Sequence, residues 1–326
     1  MNTKLISRAL IFALCLVLPN LVVLLVSHGT SWRMFDDWDE PFYFPLAYDL
    51  LNVGLSEVSR ADKLLPHVFF GLGGTVPHYL SVAVLGRIIH LLHLNIQWIA
   101  CALDFICIFL SYVLFANFYR LIVGEATVGE AAAALTLFCP WLYPLTAKLS
   151  PIVWNDVSLH GLSGYVCLPI LRGPFTQLSY VPLALALLLA AQALSTRNRG
   201  LTWALVGISA GSAIYCYFFA WAAVSLLLGL TIVIHAFSGR EDGIPMSQRI
   251  APLVLFVCSN LFIAAYALFW IFGRVTQTEF ALTERGPWYF PLEAFILLAL
   301  LSRCRHCKTK QLNLCFLVGA VAAEII

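Results

Sequence analysis

Four carboxylates fall within five positions in the run Trp32-Arg33-Met34-Phe35-Asp36-Asp37-Trp38-Asp39-Glu40-Pro41. Asp36, Asp37, Asp39 and Glu40 repel one another, so full ionisation of the cluster is disfavoured unless a cation neutralises it. A carboxylate held partly protonated in this way can act as a general base. Adjacent carboxylates can also hold a divalent metal, although nothing in the sequence requires one. An acidic, solvated loop at the end of a helix has the same composition, and both readings stand at this point.

Other residues suited to chemistry are scattered. Arg87, His90 and His93 recur every three residues in the otherwise apolar stretch 77–94. That spacing predicts an amphipathic helix lying in a membrane interface. Its cations suit a lipid phosphate, and they equally suit snorkelling towards water. Asp156 and His160 are four apart in a Gly- and Pro-containing segment and would share a helical face, in an acceptor-binding role or as ordinary loop residues. Asp104 is a lone carboxylate inside an apolar run. A membrane carboxylate is expensive and marks function by default; here it would reach an outer cavity or pair with Arg87. Cys304-Arg305-His306-Cys307 has one nearby extra ligand, short of the four that structural zinc needs. Most other cysteines lie in apolar runs as small hydrophobes, and no structural disulfide is expected.

The elements that must position these residues follow from composition. The 326-residue chain is 61% hydrophobic and only 11% charged, with a mean hydropathy of +0.88. A soluble domain is about 45–50% apolar and about 25% charged. A water-soluble core, a disordered chain, a collagen-like fibre and a secreted disulfide scaffold are therefore excluded. The net charge of +2 comes with no basic stripe interleaved with aromatics, which argues against a nucleic-acid partner. The expected fold is all-α: a single polytopic transmembrane helical bundle over residues 1–326. Its long first outer loop, 28–96, carries the acidic motif and interfacial helices at 64–72 and 77–94.

A bilayer core takes about 20 apolar residues per helix. Nine runs fit, at roughly 5–26, 97–119, 127–147, 178–194, 201–217, 219–237, 251–273, 288–302 and 311–326. The stretch 201–237 is too long for one span and is divided near Tyr215–Trp221, where aromatics mark an interface. The first run, flanked by Lys4 and Arg8, exceeds a signal-peptide core and precedes no cleavage site, so it reads as a retained anchor. The last run reaches Ile326 with no polar exit, as expected of a fragment of a longer chain.

Threaded from a cytoplasmic N-terminus, the short inside loops and N-terminal tail carry eleven Lys and Arg, and the much longer outside segments carry eight. The positive-inside rule is met by density, most firmly at Arg303–Lys310. The acidic cluster then lies outside, together with Asp49, Glu57, Asp62, Asp156, Glu279 and Glu284. An integral, multi-pass protein of a bacterial inner membrane is expected, its oligomeric state unspecified.

With these residues in place, the chain resembles the GT-C superfamily of multi-pass glycosyltransferases. The resemblance rests on the paired acids Asp36-Asp37 or Asp39-Glu40 directly after the first span, and on Pro77-His78-Tyr79 with Leu85-Gly86-Arg87. It also rests on Arg172-Gly173-Pro174-Phe175-Thr176-Gln177 before a span, and on Gly207, Gly211 and Tyr215-Cys216-Tyr217-Phe218-Phe219. It covers roughly residues 1–240 in layout. Two departures are the missing large soluble C-terminal domain and the end of the chain at the ninth span.

The resemblance implies a polyprenyl-phosphate-linked sugar donor and a lipid, glycan or protein acceptor, joined on the outer face. It implies Asp37, then Asp36, as the base, with Asp39 and Glu40 orienting the acceptor or binding a metal. Arg87, Lys148, Arg172 and Arg285, with Arg274, are candidates for the donor phosphate, where charge builds as the bond breaks. Asp104, Asp156 and His160 would support the site from behind. A transporter or lipid flippase, and a non-catalytic relative, are the competing expectations. A transporter would favour internal repeats and polar groups at mid-depth, and no clear repeat is present.

Overall fold

A computed structural model describes residues 3–27, 88, 91–92, 96–138, 175–196, 200–216, 218–238 and 246–274. The described residues are helical, with no strand among them. We number the helices α1 (Thr3–Val26), α2 (Ile96–Val123), α3 (Ala126–Phe138), α4 (Phe175–Ser195), α5 (Thr202–Ser212), α6 (Phe218–Ser238) and α7 (Met246–Arg274). Apolar runs of this length settle as helices because lipid offers the backbone no hydrogen-bond partner, and a helix satisfies its own.

Among the described residues, four segments are long and apolar enough to cross a membrane: Thr3–Val26, Gln97–Val123, Gln177–Ser195 and Ser247–Ala265. Three shorter apolar helices accompany them, at Ala126–Leu137, Thr202–Tyr215 and Ala220–Ala236. Six of the nine expected runs thus fall on helices, and 127–147 does so as far as Phe138; the rest of that run, with 288–302 and 311–326, lies outside the described residues. The interfacial helices expected within 64–94 lie almost wholly outside them too.

The chain divides into two compact units. The first comprises Met1–Leu114 and Glu130–Val181, the second Phe115–Gly129 and Pro182–Ile326. In the first, α1 runs antiparallel to α2. The rings of Phe12 and Tyr112 lie 4.9 Å apart, and eight residues further along α1 Asn20 meets Asp104, eight residues back along α2. Eight residues are about 12 Å of helix, so the two pairs fix one continuous register. Beyond Phe12, Arg8 of α1 forms a 2.6 Å ion pair with Glu130 of α3.

In the second unit, α2 ends at Gly124, whose φ of +81° is the left-handed conformation that a side chain would strain. Its N–H donates to the Arg120 carbonyl at 2.9 Å, closing the helix end. The first turn of α3 then packs hard against α2. A Cβ on Gly129 would lie 2.8 Å from the Arg120 nitrogen and 3.0 Å from the Ala116 oxygen.

Also in that unit, α5 runs parallel to α7, and α6 antiparallel to it. Gly207 faces Phe256, Ser259 and Asn260, and Gly211 faces Asn260 and Ile263, so the two helices climb together. Glycines four apart let the backbones approach closely, which drives helix association where lipid removes the hydrophobic drive. Helix α5 tightens into a 3-10 turn at Ala213–Tyr215 and ends at Cys216 before α6 begins. This break falls where the aromatic-rich division near Tyr215–Trp221 was expected. Above it, Ile214, Ala264 and Ala267 form a buried cluster flanked by Tyr215, Trp221 and Leu268.

Candidate functional site

Helix α2 is apolar over most of its length, yet Gln97, Asp104 and Ser111 are buried at intervals of seven. Seven residues are close to two turns, so the three share one face of the helix. Asp104 is 1% exposed and sits about 12 Å, or two turns, from the start of α2. That start is the outer end if the N-terminus is cytoplasmic.

Asp104 is held by two other helices of its unit. Gln177, in the first turn of α4, donates its Nε2 to Asp104 Oδ1 at 2.6 Å. Asn20, three-quarters of the way along α1, donates its Nδ2 to Oδ2 at 3.4 Å. Both amides are buried, at 1% and 0% exposure. The shorter bond has the length of a charge-assisted contact. Each amide meets one carboxylate oxygen, so a single side chain ties α1, α2 and α4 together.

The sequence makes each arm identifiable after the fact. Asn20 follows Pro19 in an otherwise apolar helix, and Gln177 precedes Pro182 in another. Isolated amides inside apolar runs are the signal: Gln177 stands out only as the end of the run Arg172–Gln177, Asn20 not at all, and neither is marked by the sequence as a partner of Asp104. Arg87, the cation expected beside it, lies outside the described residues, as do Asp36, Asp37, Asp39, Glu40, Lys148, Asp156, His160, Arg172 and Arg285. Among the described residues, no group of three or more His, Cys, Asp or Glu comes together to hold a metal.

The second unit carries a polar cluster of its own. Asn260 of α7 is 3% exposed. Its Oδ1 accepts the Trp221 indole N–H at 2.9 Å, and its Nδ2 donates to Ser225 Oγ at 2.8 Å. The Tyr215 hydroxyl donates to the Ile263 carbonyl at 2.7 Å. The polar tips of Tyr215 and Trp221 therefore anchor the α5–α6 break to α7. Ser209 adds a 2.9 Å bond to the Pro182 carbonyl.

Chemically, Asp104 with two amide donors is an anchoring arrangement. It holds a carboxylate in one orientation. On the same face, Ser111 Oγ is buried without a hydrogen-bond partner among the described residues. No family model, curated protein or solved structure matches the chain.

Proposed function

We propose that this chain is a multi-pass membrane glycosyltransferase that takes its sugar from a polyprenyl-phosphate donor on the outer face of the membrane. The observation that carries the reading is the paired-acid run Asp36-Asp37, which begins ten residues after α1 ends at Val26. Support also comes from Arg172, three residues before α4 begins at Phe175. The two helices leading to these residues, α1 and α4, are those that Asp104 binds.

In this reading Asp37, or Asp36, takes the proton of an acceptor hydroxyl. The oxygen attacks the anomeric carbon, the carbon–oxygen bond to phosphate breaks, and polyprenyl phosphate leaves with the electron pair. A single displacement inverts the anomeric centre. Cations drawn from Arg87, Lys148, Arg172 and Arg285 would stabilise the leaving phosphate. Lipids, glycans and proteins are the acceptor classes. The deciding experiment presents the reconstituted full chain with a panel of polyprenyl-phosphate sugars and measures release of polyprenyl phosphate. Release from no member, with a correctly oriented and folded protein, overturns the reading.

A second reading, a transporter, is favoured by one observation. Asp104 and Ser111 form a buried polar line within a span, where intramembrane polar residues line transport paths. Substrate flux into vesicles without sugar release would select it.

A further inference from the structure

The residues around Asp104 share a feature that the proposed chemistry does not use. The carboxylate sits on α2, which contains no proline, while both of its amide partners sit on helices that do. In α1, Pro19 immediately precedes Asn20. In α4, Pro182 lies five residues after Gln177. A proline inside a helix removes the hydrogen bond to the carbonyl four residues earlier and weakens the helix at that point. The carbonyls that lose their N–H partner are those of Cys15 in α1 and Leu178 in α4. Each helix is therefore weakened close to the amide that holds it to α2.

We infer that Asp104 is a two-armed latch, in which Asn20 secures the last part of α1, residues 20–26, and Gln177 secures the first part of α4, residues 175–181. Both secured segments belong to the same compact unit as Asp104. They are also the segments from which the chain enters 28–95 and emerges from 139–174, the stretches that hold most of the candidate chemistry. The arms are separate, because Asn20 takes Oδ2 and Gln177 takes Oδ1. Losing one amide releases one helix segment and leaves the other held. A polar cluster that merely added stability would loosen the helices together. The inference rests on this geometry and not on the glycosyltransferase reading, so either can fail alone.

The test is amide hydrogen exchange of the full chain in lipid nanodiscs, followed by mass spectrometry. Gln177→Leu should raise exchange at residues 179–181 by roughly three- to tenfold, the scale of one interhelical hydrogen bond to a charged acceptor. Residues 22–26 should stay at the wild-type rate. Asn20→Leu should do the reverse, and Asp104→Leu should raise both. Asp104→Asn should stay within about twofold, since its amide can accept from Gln177 and donate to a turned Asn20. Residues 254–262 of α7 serve as the internal reference. If Asp104→Leu does not accumulate, the two single-arm variants and Asp104→Asn carry the test. Equal rises in both segments and in α7, or no rise in either arm's segment, would overturn the latch.

Discussion

Gln177 reaches Asp104 across 73 positions of sequence, its Nε2 lying 2.6 Å from the carboxylate oxygen. The contact joins the first turn of α4 to the interior of α2, and both side chains are buried. Removing the carboxylate leaves two amides without an acceptor they now use, and a buried unsatisfied group costs about 1–3 kcal/mol. Asp104→Leu should therefore lower stability by roughly 2 kcal/mol or more, and Asp104→Asn by about 1 kcal/mol or less. Thermal unfolding in a fixed detergent checks the order; a leucine variant as stable as wild type contradicts the bonding described.

Gly207 and Gly229 make a matched pair. A Cβ at Gly207 would overlap Ser259 and the Phe256 carbonyl, whereas at Gly229 the nearest atom is a Phe256 ring carbon 4.0 Å away. Overpacking costs about 1–3 kcal/mol, and glycine within a helix costs roughly 0.5–1 kcal/mol relative to alanine. Gly207→Ala should destabilise by about 1–3 kcal/mol, and Gly229→Ala should be neutral or slightly stabilising. The same unfolding assay separates them, and equal effects would contradict the close approach of α5 to α7.

The Arg8–Glu130 pair should matter little. Arg8 is 54% exposed at its side chain, although Glu130 is only 12% exposed, and water reaching the guanidinium weakens the pair. A double-mutant cycle with Arg8→Ala and Glu130→Ala should give a small coupling that shrinks as salt is added. A large coupling that salt leaves unchanged would place the pair in a far less polar setting.

Asp36→Asn with Asp37→Asn should abolish sugar transfer, at least a hundredfold if a general base is lost, while the melting temperature stays unchanged. Transfer at the wild-type rate would remove both residues from the reaction.

Sidedness comes before that assay. With the native cysteines replaced and one cysteine placed by Phe35→Cys, an impermeant maleimide should label intact cells. Labelling only after lysis would put the acidic run inside, and the donor reading would fall.

Helix positions were legible because hydropathy alone dictates them. Runs at 5–26, 97–119 and 178–194 became α1, α2 and α4 with ends displaced by only a few residues. The division of 201–237 was legible too, since the stretch is too long for one span and the aromatics near Tyr215–Trp221, whose tips are polar, mark where it breaks. What the tips of Tyr215 and Trp221 bind was not: Ile263 and Asn260 lie 48 and 39 positions away. Pairings between helices depend on rotation and register, which a pattern of apolar residues leaves undetermined. Asp104 was conspicuous for its charge, while Asn20 and Gln177 were not. An amide inside an apolar run costs less than a charge and disturbs the pattern less. The candidate bases and, apart from Arg274 at the end of α7, the candidate phosphate-binding residues lie outside the described residues.

The break after Tyr215 has a consequence for the surrounding lipid. Helix α5 and its 3-10 turn run only from Thr202 to Tyr215, beside the 29-residue α7. At helical rise that is about 21 Å, against roughly 30 Å of hydrocarbon. Were α5 to cross the bilayer, the mismatch would be relieved by thinning it locally. Acyl chains beside α5 would then be compressed, and a headgroup there would ride several ångströms deeper than elsewhere. Reconstitution into short-chain phosphatidylcholine should therefore raise the melting temperature relative to long-chain lipid. The reverse order would mean that neighbouring helices shield α5 from the bilayer.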